Sequence, residues 1–322
     1  MISSESVKKY AIRCGADLVG IASMDRFEGA PKQMDPRYIF PDAKAMIVLG
    51  FRVLRGTLRG IEEGTFFSSY SSMGYAGINT IYQPMVLWEF CKIIEDQGYE
   101  AIPLPNAWPW TNTDTRGLFP DQTGKTNSGY SRPVSPEKPA PDVFVQLRIA
   151  AFCAGLGEIG YSKMLLTPEF GPRQRLAAVL TDAPLKPDPL FKGGLCDRCL
   201  ACVKDCSVQA IPRNKTIKVT VAGRQLEWAD IDVAKCRVGF CGGSKEHNPF
   251  MVTPEDEKGF NLDQLNDLRA QNYKLGPQNG YGRALEGARG CIRACMVHLE
   301  QQGKLKTKFK EPFRRKKPWI LK

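Results

Sequence analysis

An α+β fold is expected, with a mixed helix-and-sheet region followed by a smaller cysteine-rich one. Three observations lead there. Helix-type and strand-type periodicities alternate through the first hundred residues and return between 142 and 182. The chain has 11 cysteines, most of them late. Four crowd into GLCDRCLACVKDCSVQAIP, Gly194–Pro212.

The elements follow in order. Residues 4–14 are expected as a helix, with Ser4 or Ser6 as the cap and Gly15 as the stop. ADLVGIAS (16–23) and AKAMIVLGFRV (43–53) have the continuous apolar character of buried strands. TIYQPMVLWEFCKIIEDQG (80–98) predicts a long amphipathic helix whose apolar face is Ile81, Met85, Trp88, Ile93 and Ile94. YEAIPLP (99–105) is a further strand. From 106 to 141 the pattern collapses into Pro, Gly, Ser, Thr and Asn around Trp108 and Trp110, as in a lid or binding insertion. DVFVQLRIAAFCAGLG predicts a helix, RLAAVLTD (175–182) a strand and APLKPDPLFKGG a linker. SVQAIP after Cys206 is expected as a short helix.

Composition narrows the function. With 43% hydrophobic and 25% charged residues, the chain is an ordinary globular one. No apolar run approaches a membrane span, and the start has no signal-peptide core, so a cytoplasmic protein is expected. In that compartment clustered cysteines favour metal over disulfides. Only two histidines exist, His247 and His298, which leaves thiolate as the main ligand. They also exclude a corrinoid domain with an Asp-x-His-x-x-Gly ligand. Net charge is +11, and the segment Lys304–Lys322 carries nine of the cations with one acid. The basicity thus belongs to a tail, expected to be solvated. Phe309, Phe313 and Trp319 within it could stack on RNA bases.

C-x2-C-x2-C-x3-C, Cys196 to Cys206, is the spacing of an iron–sulfur run. Three near thiolates serve one [4Fe–4S] cube, and the fourth points to a second. Two cubes need eight thiolates; Cys236, Cys241, Cys291 and Cys295 complete them. Cys14, Cys91 and Cys153 sit in apolar periodic segments and are expected as buried thiols. Zinc is the alternative, although it favours two separated C-x2-C pairs. Gly155-x-Gly157-x-x-Gly160 also satisfies the dinucleotide fingerprint, but a helix, not a strand, is expected before it.

The segment CAGLGEIGYSKMLLTPEFGPRQRLAAVLTDAPL (153–185) resembles corrinoid-dependent iron–sulfur reductases, the reductive dehalogenases and epoxyqueuosine reductase. The shared features are Ala154–Gly157, Gly160, Leu165–Gly171 and Val179–Asp182. GADLVGIA (15–22) and residues 73–106 are similar too, the latter more to the dehalogenase branch. The resemblance implies a nitroreductase-like α/β sandwich over 1–190, holding base-off cobalamin and substrate. It implies a ferredoxin-like double-[4Fe–4S] domain over 191–303, before the tail 304–322. Cofactor contacts would come from Gly155, Gly157, Gly160, Thr167, Pro168, Glu169, Phe170 and Gly171. One cluster would take Cys196, Cys199, Cys202 and Cys295; the other Cys206, Cys236, Cys291 and Cys241. Tyr75 and Asp142 stand near the family's proton-donor positions. Arg173 and Arg175 could hold an anionic substrate or a corrin amide, or simply lie on the surface.

The implied activity is an oxidoreductase that cleaves a C–halogen or C–O bond of a small molecule. An electron-donor protein such as ferredoxin or flavodoxin would supply it, and tRNA is a possible further partner. The chain departs from the family in the lone Cys291-x3-Cys295 ending, in the Asp142 offset and in the 106–141 insertion. A corrinoid-free electron-transfer protein is therefore the competing reading, and a tRNA-modifying reductase a narrower one.

Overall fold

The computed structural model describes residues 2–106, 133–240 and 290–313. Trp108, Trp110, Cys241, His247 and Trp319 lie outside the described residues, as does most of the 106–141 insertion.

Helix α1, Ser4–Cys14, is capped by Ser3 rather than by the expected Ser4 or Ser6. Ser3 and Ser6 form a reciprocal capping box, which satisfies two backbone donors at once. The helix stops at Gly15, as expected, with φ 119°. A Cβ there would meet the Tyr82 hydroxyl at 2.4 Å. Strands β1 (Leu18–Ser23) and β2 (Ala45–Arg52) follow, then the short helix α2, Arg59–Glu63. Tyr70–Tyr82 winds as a π-helix and runs directly into α3, Gln83–Glu95. Strand β3 is Ala101–Leu104 and helix α4 is Leu147–Cys153. A small ladder pairs β4 (Glu158–Ile159) with β5 (Leu165–Leu166), and β6 spans Gln174–Thr181.

The main sheet has the order β1-β2-β6-β3, and every pairing in it is antiparallel. Strands β2 and β6 are buried on both faces, which explains their unbroken apolar runs. Ile47, Leu49, Phe51, Ala177 and Val179 pack against α1 and α3 through Val7, Ala11, Val86, Leu87, Phe90 and Ile94. Met46, Val48, Ala178 and Leu180 pack on the other side against α4 through Ala150, Ala151 and Phe152. Each such side chain contributes about 1.5–3 kcal/mol on full burial.

The face of α3 differs from expectation. Ile81, Met85 and Trp88 are exposed, Trp88 by 70%. The buried face is Gln83, Val86, Leu87, Phe90, Cys91 and Ile94. Apolar residues surround this helix, so periodicity alone selects the wrong stripe. Helix α4 is also shorter than expected, because 142–146 is irregular.

The linker 183–194 is irregular but held in place. Asp188 pairs with Lys8 and accepts from the Ile21 amide at 2.9 Å. Beyond it, helix α5 is Ala201–Lys204. The expected helix at Ser207–Pro212 is absent; a turn occupies it, and the helix instead precedes Cys206. The hairpin β7–β8, Thr216–Val221 and Arg224–Ala229, leads to α6, Val233–Phe240. Helix α7, Cys291–Gln301, closes the described chain with a strap, 302–313. That part of the basic tail is docked rather than solvated: Leu305 and Phe313 are buried. Arg55 stacks on Phe309 at 3.6 Å and Arg59 on Phe313 at 4.3 Å. Those two rings are occupied by the chain's own arginines. No helix among the described residues is long and apolar enough to cross a membrane.

Candidate functional site

The first thiolate set assembles from a loop and a distant helix. Cys196, Cys199, Cys202 and Cys295 line one cavity, together with Tyr161, Leu195 and His298. Arg198 and Leu200 hold positive φ, 57° and 59°, so the loop folds back tightly between its cysteines. Such turns direct successive backbone N–H groups to one side, and concavities of this kind receive anionic clusters. Glu158 on β4 anchors the loop: its carboxylate accepts from the Cys196 amide at 2.5 Å and the Gly194 amide at 3.0 Å. The Tyr161 amide donates to Cys196 Sγ at 3.4 Å.

Without metal, Cys199, Cys202 and Cys295 resist ionisation. Burial, reinforced by Cys196 and Cys199, pushes Cys202 up to about 11. Cys295 rises further through burial and the crowding of Cys196, Cys202 and Cys199. Thiols whose ionisation is opposed by burial and by neighbouring sulfurs, as at Cys199, Cys202 and Cys295, fit a polycationic centre, which would remove their protons and their repulsion. Asp197, Cys199 and His298 also bring their donor atoms within 4.8 Å of one another. His298 and Asp197 are paired there at 2.7 Å.

The second set is partly described. Cys206 and Cys291 pack on the Tyr161, Cys202 and Ile211 cluster. Cys236 lies on α6, and Cys291 opens α7 one turn before Cys295. Cys14 is half-buried, and Cys91 and Cys153 are buried, away from both sets.

Tyr75 sits on the π-helix, with the Arg175 guanidinium 4.7 Å from its ring centre. Arg175 comes from the end of β6 and donates to the Tyr70 hydroxyl at 2.9 Å and the Gly74 carbonyl at 3.1 Å. Tyr75 also meets Phe240 edge-on at 5.2 Å. Phe240 stands one turn along α6 from Cys236, so this helix joins the tyrosine to the second thiolate set. Burial lowers Arg148 from its ordinary value; Cys291 and Cys236 oppose that shift, and Arg175 adds to it. The Arg148 guanidinium donates through Nη1 to the Lys163 carbonyl at 3.2 Å.

The other expected residues have different surroundings. Arg173, a candidate for an anionic substrate or a corrin amide and otherwise for the surface, is 2% exposed; one nitrogen donates to the Val53 carbonyl at 2.5 Å. Its Nε and Nη2 have no hydrogen-bond partner among the described residues, and burial lowers it to about 10. Gly157 and Gly155 lie against the chain's own backbone: added Cβ atoms would meet Leu166 O at 1.9 Å and Pro189 O at 2.2 Å. At Gly160 it would meet Leu166 Cδ1 at 2.9 Å. Thr167 is fully buried and holds the turn to Gly171, with its hydroxyl accepting from the Phe170 amide at 3.2 Å. Pro168 and Glu169 receive the strap, through the Lys306 amide at 2.7 Å and Lys306 Nζ at 2.7 Å. Asp142 is exposed, and its carbonyl accepts from Gln33 at 2.9 Å. The glycine fingerprint follows a helix, so the strand a dinucleotide turn requires is missing.

No family model matches the chain. A tetrachloroethene reductive dehalogenase of Sulfurospirillum multivorans is 34% identical over 285 residues, 73% of this chain and 47% of that protein. Proteins of the same name from Desulfitobacterium hafniense and Dehalobacter restrictus are 46% identical over 69 residues, 20% of this chain and 12% of theirs. The chain thus spans about half the length of the Sulfurospirillum protein, and its match covers 12% of the Desulfitobacterium and Dehalobacter ones. Among solved structures, a catabolic reductive dehalogenase in complex with 3-bromo-4-hydroxybenzoic acid aligns with a TM-score of 0.49 and 18% identity, over 94% of this chain and 37% of that one. An epoxyqueuosine reductase from Bacillus subtilis aligns at 0.45 and 16%, over 93% and 82%. The sequence matches show that the chain is similar to reductive dehalogenases, which are oxidoreductases, over 73% of its length.

Proposed function

We propose that this relative of the reductive dehalogenases is a corrinoid-dependent reductase fed by two [4Fe–4S] clusters. The observation that carries the reading is the convergence of Cys196, Cys199, Cys202 and Cys295 on one cavity. Three come from the loop spacing that suits a cubane, and the fourth from a helix some ninety residues on. Cys206, Cys236 and Cys291, with Cys241, would hold the second cluster. In this reading the first half is the nitroreductase-like cofactor and substrate domain, and the thiolate-bearing part is ferredoxin-like.

The residues around Tyr75 support a reducing site at the junction. Arg148, which gives Nη1 to the Lys163 carbonyl, and Arg175, which donates to Gly74 and Tyr70, would turn their remaining donors to a group rich in amide oxygens or bearing a phosphate, as cobalamin is. When bound, a reduced corrinoid would supply the electrons that break a C–halogen or C–O bond. Tyr75 would give its phenolic proton to the carbon left by the departing group. Arg175, held by Tyr70 and Gly74, would offset the negative charge then left on the phenol. Phe240 against the Tyr75 ring limits water there. A small organohalide or epoxide is the substrate class, with an external one-electron carrier such as ferredoxin or flavodoxin as donor.

The test is anaerobic purification from cells supplied with cobalamin. A stoichiometric corrin absorbance band alongside iron and sulfide supports the reductase. Iron and sulfide without corrin would overturn it in favour of a corrinoid-free electron-transfer protein.

A further inference from the structure

Arg293 stands midway between Cys291 and Cys295 on α7 and is 2% exposed. Its Nη2 donates to Asp205 Oδ2 at 2.5 Å, and its Nη1 lies 3.0 Å from Glu62 Oε2. Glu62 is fully buried on α2, in the first half of the chain. Asp205 caps α5, which carries Cys202, and directly precedes Cys206. One guanidinium therefore ties together three pieces. They are the helix with one cysteine of each set, the segment with Cys202 and Cys206, and the N-terminal body.

Such a triad is a poor way to gain stability. Each buried ion costs several kcal/mol of lost hydration, and apolar replacements of similar shape are often neutral or better. A fork that reaches two carboxylates from different elements does fix their relative placement, which an apolar contact would not. Arg173 and Arg293 are the two arginines buried this deeply among the described residues, and Arg293 is the one flanked by cysteines. Reduction adds negative charge to a cluster, so a nearby buried cation favours the reduced form.

We propose that Arg293 is a positioning residue that sets the two thiolate sets against each other and raises the reduction potential of the clusters they hold. This rests on the cluster reading above. The test uses the full chain, anaerobically reconstituted, as wild type, Arg293→Lys, Arg293→Gln, Glu62→Gln and the Glu62→Gln/Arg293→Gln double variant. Iron content and EPR-monitored redox titration are measured for each. The double variant, compared with Glu62→Gln, removes the same charge without stranding a buried carboxylate, so it serves if Arg293→Gln fails to fold.

In both backgrounds, loss of the charge should leave the clusters about tenfold less reduced at a fixed solution potential, or ~59 mV lower. Arg293→Lys should keep the potential while losing iron faster to a chelator, because the two-carboxylate fork is gone. Unchanged potentials in both charge-removing comparisons would overturn the inference, even if stability fell. A wild-type chain that takes up no iron would overturn the cluster reading itself, and this inference with it.

Discussion

Glu158→Gln tests how the first thiolate set is held. The wild-type carboxylate accepts two backbone N–H groups of the cysteine loop, from Cys196 and Gly194. Glutamine keeps the shape but turns one acceptor into a donor that faces a backbone N–H. A charge-assisted hydrogen bond contributes about 1.5–3 kcal/mol. One such bond is lost and the other becomes neutral, while water reaches the half-buried side chain and offsets part of the loss. The net cost should be about 2 kcal/mol, or about thirtyfold in the folding equilibrium. Urea unfolding of the metal-free chain, followed by circular dichroism, measures it. Iron release to a chelator should quicken in the reconstituted variant. Glu89→Gln, at an exposed ion pair on α3, is the control and should stay within about 0.5 kcal/mol of wild type. If Glu158→Gln matched that control in stability and iron retention, Glu158 would not be the anchor of the loop.

Further outcomes follow from the same packing. Burial pushes both Cys153 and Cys91 up to about 12 from 9.0, so above pH 9 the unfolded chain loses protons that the folded chain keeps. Stability should then fall with rising pH, by about 1.4 kcal/mol per group at pH 10. Cys153→Ala should flatten that fall in a series of thermal melts across pH, and an unchanged slope would exclude the thiol as its source. Gly157→Ala would drive a Cβ to 1.9 Å from the Leu166 carbonyl, so a loss of about 3 kcal/mol or more is expected in urea unfolding; a variant as stable as wild type would contradict the packing. Tyr75→Phe should slow substrate reduction at least tenfold while corrin and iron content stay at wild-type levels. An undiminished rate would remove the phenol from the chemistry.

Strands β2 and β6 were legible because both faces of each are covered, which leaves an unbroken apolar run bounded by polar residues. Helix α3 was legible as a helix, but its orientation was not. Val86, Leu87 and Phe90 compete with Ile81, Met85 and Trp88, and only the sheet decides between them. The hairpin at 216–229 falls outside the expected elements, although Ile217, Val219 and Val221 alternate before the two-residue turn Ala222-Gly223. The bends at Arg198 and Leu200 carry no side-chain signature, which is why the helix was expected after Cys206 and not before it. In the site, Cys196, Cys199 and Cys202 announce themselves by spacing. Cys295 joined them only through resemblance to known reductases. Glu158, Arg175 and Arg293 act through partners far away in the chain, from Cys196 at 38 residues to Glu62 beyond two hundred. A charged residue between two ligand cysteines, as at Arg293, is the one signal among these that the sequence did carry.

The most direct test is metal and sulfide analysis of the full chain after anaerobic reconstitution, combined with EPR of the reduced protein. Two cubanes predict about eight iron and eight sulfide per chain, falling to about half in Cys199→Ser. Zinc at the thiol sites, or iron unchanged in Cys199→Ser, would contradict the account.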